Sequence, residues 1–493
     1  ADMHSHSMSH SNTPTTMKTI NICTCVLAGL LTLLITSSCE DWFDVDPRTE
    51  IKENDLFKDE SGYFDALVGV YSIMGRQALY GDELTMGSVD AISQIYYIGY
   101  GTAHPLYYMS TFEYDNTRVR PVIDAMWSNM YEAIANVNNL LAHIDNADPG
   151  MFESNNYQLI KGEALALRAY LHFDILRLFG PSFRMDKDRK CIPYVTTVSK
   201  DNTPYSSPVE IVGLCLRDLE DAATLLAEDP VTEIIQNEDN IYRMNRTTRM
   251  NLYAVQALSA RICHYAGDKT NALRYAGMLI GNEKLNLIST TMSVRNDRVI
   301  SSELLFALFV DNLSDWTDDH FRHSSHGYDY YQMQFYMDEF YDRNAGVGSD
   351  IRYDAQFDVE GSNMKLSKYL SKDGDSYSAK YRVPMLRLSE MYYIAAESTD
   401  NIEEASDLLN RVRRARALEP MTFADFSAVE SYLTREYRRE FYGEGQLFYR
   451  YKWLNADNIA DGYLIKNISS RKEEVYILPL PDQEKEFGGT VNQ

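Results

Sequence analysis

Aromatic rings set among amides, carboxylates and guanidinium groups are the chemistry this sequence displays most openly. Tyr96, Tyr97, Tyr100, Tyr107, Tyr108 and Tyr114 crowd one polar, glycine-containing stretch that has no helical or strand period. Trp316 opens a second, WTDDHFRHSSHGYDYY, which carries Phe321, Tyr328, Tyr330 and Tyr331. A pyranose ring presents C–H groups on one face, which pack on an aromatic ring, while its rim hydroxyls take polar partners such as Arg322 and Asn312. The candidate ligand contacts are therefore Trp316, Tyr328, Tyr330, Tyr331, Phe321, Arg322, Asn312, Tyr97, Tyr100, Tyr107 and Tyr108, with Trp316 foremost. The chain holds 36 Tyr, 19 Phe and 4 Trp. A buried tyrosine hydroxyl needs a partner, so part of this excess belongs at a binding surface. Core packing is expected to claim about half of these rings.

Other chemistries find less support. Glycoside hydrolysis needs two carboxyls about 5 Å apart, or somewhat further. Among 72 acidic residues such pairs arise by chance, so no catalytic residue is assigned. His320, His323 and His326 stand at steps of three and would share a helical face suited to zinc or copper. Ser324, Ser325 and Gly327 argue against a regular helix there and for exposed loop histidines. No Asp-x-Asp-x-Asp-Gly calcium loop is present, so neither metal nor cofactor is expected. A net charge of −25 disfavours nucleic acid, whose phosphates need a basic surface.

Cys39 carries a different chemistry. Lys18, the apolar run from Val26 to Ile35 and the small residues Thr36-Ser37-Ser38 precede it. A short positive region, an apolar core too short to span a bilayer and a small-residue cleavage zone form a secretory signal. A cysteine directly after that zone is the lipoprotein arrangement, with cleavage before Cys39 and lipid on its thiol. Residues 1–38 are thus expected to be removed, residues 1–16 being an upstream extension. No other stretch reaches the roughly 18 apolar residues of a transmembrane helix. Two or three acyl chains make such anchoring lasting. Cys191, Cys215 and Cys263 are an odd count without zinc spacing, and are expected to be small buried hydrophobes.

The elements that must position these groups are mainly helical. Residues 163–179 are apolar on most faces and stop at Gly180-Pro181. Residues 126–144 and 208–226 repeat apolar positions at three- and four-residue steps. Two helix pairs follow, 248–265 with 272–280 and 385–398 with 402–415, with Ala272, Ala395, Ala396 and Ala405 where helices would cross. Pairs of this size resemble tetratricopeptide repeats, irregularly spaced. The expected fold is all-α dominated, with tetratricopeptide-like helix pairs, long irregular inserts and a few short strands. One domain over 39–493 is expected, with ligand-binding inserts near 80–120 and 310–335.

Across nearly the whole mature length the chain resembles the SusD/RagB family of outer-membrane nutrient-uptake lipoproteins. The likeness begins at Cys39-Glu40-Asp41-Trp42-Phe43-Asp44-Val45-Asp46-Pro47 and continues through Asp65 to Tyr71, then Trp127, Tyr131 and Asn136. Arg168-Ala169-Tyr170, Phe173-Asp174 and Arg177-Leu178-Phe179-Gly180 match the family's most recognisable string. Arg387 to Tyr392, the run LLNRVRRARAL, Arg435 to Glu440, Gly443-Glu444-Gly445 and the strand-like Tyr476 to Pro481 follow in order. The chain departs after Gly445, where the family's aspartate is replaced by Tyr449, which alters a local ion pair.

The resemblance implies a surface lipoprotein that lies over a SusC-like TonB-dependent transporter, like a lid, and delivers a captured nutrient. It implies binding without bond cleavage. The acidic residues after Cys39 resemble a signal for export to the cell surface. The ligand is expected to be an oligosaccharide; a peptide ligand, a surface hydrolase on the same frame and a pure assembly scaffold are the alternatives. Arg168, Arg177, Arg387, Glu390, Arg435, Glu436 and Glu440 are expected in helix–helix ion pairs, and not in acid–base chemistry.

Overall fold

Helix starts are written locally in this chain, in side chains that accept the first free backbone N–H groups. The computed structural model describes residues 55–98, 105–232, 241–289, 294–323, 329–343, 349–375, 380–460 and 465–488. Contacts divide the chain into Ala1–Lys58 and Asp59–Gln493. Cys39 and the signal segment lie outside the described residues, as do Tyr100, Tyr328 and His326.

In the second unit, Asp59 accepts from the Gly62 N–H to open α1 (Glu60–Met74). α2 (Arg120–Ile144) has proline in its first turn. α3 (Asn156–Phe179) is buried on almost every side and ends at Gly180. Ser207 and Glu210 form a reciprocal capping box on α4 (Pro208–Leu225). Asn251 and Asp268 cap α5 (Leu252–Tyr265) and α6 (Lys269–Ile280). After α7 (Leu313–Phe321) come α8 (Leu388–Ser398) and α9 (Ile402–Ala415), the latter capped by Asn401. α10 (Phe426–Glu440) and α11 (Gln446–Leu454) close the series. Packing follows chain order: α1 on α2, α2 on α3, α3 on α4, α4 on α5, α5 on α6, α6 on α8, and α8 on α9 and α10. Among the described residues, no helix is long and apolar enough to cross a membrane.

Three expectations need correction. The helix expected from 385 starts at Leu388, because Arg382–Arg387 is a strand (β5) paired antiparallel with β1 (Leu304–Phe309). The helix expected from Thr248 starts at Leu252, where the Asn251 side chain meets the Ala254 N–H. The strand expected over 476–481 is replaced by a short helix, Lys472–Tyr476, and an irregular run whose Leu478 N–H donates to the Leu178 carbonyl at 3.0 Å. Cys191, Cys215 and Cys263 are buried free thiols.

Buried ion pairs tie the helices together. Arg168 of α3 grips Asp218 of α4 through Nε and Nη2, both at 2.7 Å. Glu390 of α8 takes Arg261 of α5 at 2.7 and 2.6 Å. Arg352 meets Asp350, Glu436 and Glu440, and Arg416 joins Glu303 to Glu440. Arg177 differs: its acid is Asp174 on the same helix, and its guanidinium lies 3.8 Å over the Tyr449 ring. The departure at Tyr449 thus supplies a cation–π contact. Arg435 pairs with Asp342 at the surface.

Candidate functional site

Two tyrosine doublets, far apart in sequence, meet as neighbouring extended segments. The Tyr97 N–H donates to the Tyr331 carbonyl at 2.7 Å in an antiparallel bridge. Successive side chains of an extended segment point to opposite faces, so each doublet sends one ring in and one out. Tyr96 and Tyr330 go inward, 4% and 2% exposed, and stack with centroids 6.0 Å apart. Tyr97 and Tyr331 stay half-buried, their rings 5.2 Å apart and tilted by 42°.

The same alternation continues along β2 (Gln332–Met333). Gln332 is buried and donates to the Ile95 carbonyl, whereas Met333 is exposed. β2 pairs with β4 (Asn363–Leu366), which pairs in turn with β3 (Phe357–Glu360). Beyond Met333, Phe335 is 70% exposed and sits edge-on to Tyr336 at 5.3 Å. Tyr97, Tyr331 and Met333 therefore share one partly exposed face, and Phe335, in the first turn of the helix Gln334–Phe340, is exposed just beyond it in sequence. The flank of this strip is charged: Arg322 and Lys372 hold Asp358, and Lys365 holds Asp329 and Glu360.

Phe321, assigned to ligand contact from sequence, is fully buried and packs edge-on to Tyr96 at 5.3 Å. Phe321 and Tyr330 thus form the layer under the strip and present no ring to solvent. Tyr107 and Tyr108 lie half-buried on a short helix, Pro105–Ser110, edge to face at 5.3 Å. That helix ends at Ser110, whose carbonyl accepts from Gln94 at 2.7 Å, three residues before Tyr97. Arg322 is held by Asp358 and also reaches the Leu366 carbonyl. Asn312 stands at the N-cap of α7 without a side-chain cap bond. Phe335 and Tyr336 are not among the sequence candidates; they lie in a short helix, Gln334–Phe340, that follows the extended run.

Trp316 has a packing role. α7 is a regular helix where irregular chain was expected, and Trp316 and His320, four apart, share its face. The half-buried indole lies against the Gly81 backbone, so close that a Cβ there would stand 2.2 Å from Cζ3. Only glycine admits that ring. His320, expected as an exposed loop residue, is 8% exposed with Nε2 2.7 Å from Asp82 Oδ1. Burial disfavours its charged form, but Asp82 outweighs burial and holds the imidazole above its ordinary value. His323 is exposed. Among the described residues no group of His, Cys, Asp and Glu is arranged to hold a metal.

Two carboxyls in this region keep protons unusually well. Burial pushes Glu83 up to about 7, with Asp82 adding to the effect and the Ser88 donors opposing it. Burial also raises Asp90 to about 7, against the N–H groups of Gly443 (2.7 Å) and Gly445 (3.1 Å) and the Tyr96 hydroxyl (3.1 Å). Gly445 has φ of 71°, and a Cβ there would meet the Leu84 carbonyl oxygen at 2.2 Å. Both acids brace the turns beneath the rings. Asp90 is fully enclosed, and Glu83 is engaged by the Ser88 N–H and hydroxyl.

Comparison with known proteins bears on what such a surface belongs to. A family model described as "Starch-binding associating with outer membrane" matches residues 90–262, and a "SusD family" model matches residues 314–458. A SusD-like protein of Formosa agariphila is 28% identical over 150 residues, 29% of this chain and 28% of that relative's length. A SusD superfamily structure from Bacteroides thetaiotaomicron superposes with a TM-score of 0.68 at 19% identity, covering 87% of this chain and 98% of the other. A SusD-like carbohydrate binding protein from Bacteroides vulgatus gives 0.67 at 17% identity, covering 88% and 99%. These structures share the helix-dominated fold, and the two matched segments span α3, α4, α7 and the α8–α11 block that carry the motifs described above. The chain belongs to the SusD/RagB family.

Proposed function

We propose that this protein captures an oligosaccharide at the outer membrane and passes it to a SusC-like TonB-dependent transporter, without breaking a bond. Lipid on Cys39 would hold it there, facing outward. The observation that carries the ligand reading is the partly exposed face of Tyr97, Tyr331 and Met333, followed by the exposed ring of Phe335 and backed by the buried layer of Tyr96, Phe321 and Tyr330. Phe335 keeps its ring 70% exposed. A sugar face can cover it, and the side chains along the edge can meet hydroxyls. The acids flanking the rings, Asp329, Asp358 and Glu360, are each held by lysine or arginine, which supports binding over hydrolysis. Trp316 enters this reading as the support that seats α7.

Affinity electrophoresis in gels containing soluble polysaccharides, such as amylopectin, xylan or galactomannan, tests it. For a polysaccharide that retards the wild type, Phe335→Ala and Tyr331→Ala should each weaken binding about fivefold or more, close to 1 kcal/mol. Unchanged retardation of both variants would remove the strip from the site. Release of shorter products from a bound polysaccharide would replace capture with hydrolysis.

A further inference from the structure

The end of α8, the turn between α5 and α6, the start of α10 and the end of α11 enclose a cavity of about 320 Å³. It is built into the helical scaffold and shares no lining residue with the aromatic strip. Small-molecule sites run from roughly 300 to 1,000 Å³, so this one has room for a single ring. Phe183, Tyr265, Phe426 and Trp453 supply apolar walls.

The polar groups that face it without a full partner are mostly donors. Arg184 is exposed, lies 4.1 Å over the Trp453 ring and makes no ion pair among the described residues. Lys269 stands 5.7 Å over the Phe426 ring, and its acid, Asp400, is 3.8 Å away and 97% exposed. Ser398 is 4% exposed, and its hydroxyl has no hydrogen-bond partner among the described residues. A smaller void of about 40 Å³ shares His264, Tyr265 and Trp453 with this cavity. Arg261 lines that void with an unpartnered Nη1, while its Nε and Nη2 grip Glu390. On the acid side, Glu397 accepts two bonds from Arg450 at 2.7 Å and lies 3.0 Å from His264. Burial would raise its pKa, but Arg450 and His264 hold it down to about 2. Glu430, also in the cavity wall, is exposed. A buried donor without a partner carries a desolvation cost that an acceptor-bearing ligand removes.

We propose that this cavity binds a small ring-bearing carboxylate, its ring between Phe183, Phe426 and Trp453 and its carboxylate at Arg184 and Ser398. The acid could be a sugar acid or an aromatic acid; the chemistry recognised is the same. The assignment stands apart from the aromatic strip, so failure of either leaves the other intact.

Isothermal titration calorimetry on the full-length protein tests it, with glucuronate and phenylacetate as the acids and glucose and 2-phenylethanol as their neutral counterparts. At least one acid should bind with a dissociation constant in the millimolar range or below, its neutral counterpart about tenfold more weakly or not at all. Which acid binds identifies the source. Arg184→Ala and Ser398→Ala should each weaken that acid about fivefold or more, with thermal midpoints near that of the wild type. Phe335→Ala should leave it unchanged. Absence of binding by both acids, equal binding of acid and neutral counterpart, or wild-type affinity in both cavity variants would overturn the assignment.

Discussion

Buried carboxylates occur in two parts of this molecule, and they behave in opposite ways. In the scaffold, Glu436 and Glu440 of α10 sit beside Arg352 and Arg416 in sites closed to solvent. Burial opposes their charge, but the guanidinium groups win, and both are held below the usual carboxylate range. Beneath the aromatic strip, Glu83 and Asp90 are offered backbone N–H groups and hydroxyls and pair with no arginine, and burial wins. The partner's formal charge decides the sign. The difference teaches that Glu436 and Glu440 stay ionised, whereas Glu83 and Asp90 exchange protons near pH 7.

Breaking the scaffold network should give the largest effect. Arg416→Ala leaves Glu303 and Glu440 buried without their shared cation, at an expected cost of about 3–5 kcal/mol. Urea denaturation at neutral pH measures it, and a loss below about 1 kcal/mol would refute the contrast. Arg435→Ala is the control: Arg435 is 54% exposed in its pair with Asp342, and its removal should cost at most about 1 kcal/mol.

Acidification should come next. Glu397 falls from 4.5 unfolded to about 2 folded, so its contribution is present above the unfolded value and lost as pH falls through the folded one. A difference of that size is worth about 3 kcal/mol, lost between roughly pH 4.5 and 2. Glu397→Gln should flatten the denaturation midpoint across that window; an undiminished acid slope would show that other pairs carry it. Glu83 runs the other way. Its pKa is raised in the fold, so its contribution is full below about pH 4.5 and fades as pH rises through about 7. Glu83→Gln, which mimics the protonated form, should gain stability relative to wild type at pH 8 compared with pH 5. A relative loss at pH 8 would mean that the Ser88 donors need the charged form.

Much of this architecture was legible beforehand because its signals are local. The Asn401 cap and the apolar steps after it set α9 at Ile402–Ala415, the same span the sequence gives to a helix. Ser207, Pro208 and Glu210 likewise start α4. The strand at Arg382–Arg387 has no local signal, because its pairing partner, Leu304–Phe309, lies far away in sequence. Long-range pairing also hid the site's layering. The sequence around His320 reads as a loop because nothing near it announces Asp82, 238 positions away. Trp316 is the foremost ligand candidate of the sequence, yet it is the missing Cβ of Gly81 that seats it. The doublets Tyr96-Tyr97 and Tyr330-Tyr331 stand out in the sequence, but which ring of each pair faces outward follows only from the bridge between them.

The smallest expected effect bears on whether strip and foundation are separate layers. Phe335 is 70% exposed, whereas Asp90 and Glu83 are held by Tyr96, Gly443 and Ser88. Phe335→Ala should therefore change stability by no more than about 0.5 kcal/mol and leave the slope between pH 5 and 8 as in the wild type. Denaturation midpoints at the two pH values decide it. A changed slope would mean that the outer rings help to exclude water from the acids below, so that covering the strip with a ligand would also shift their protonation. An unchanged slope together with weakened polysaccharide retention assigns Phe335 to recognition alone, and leaves pH sensitivity to Glu83, Asp90 and His320.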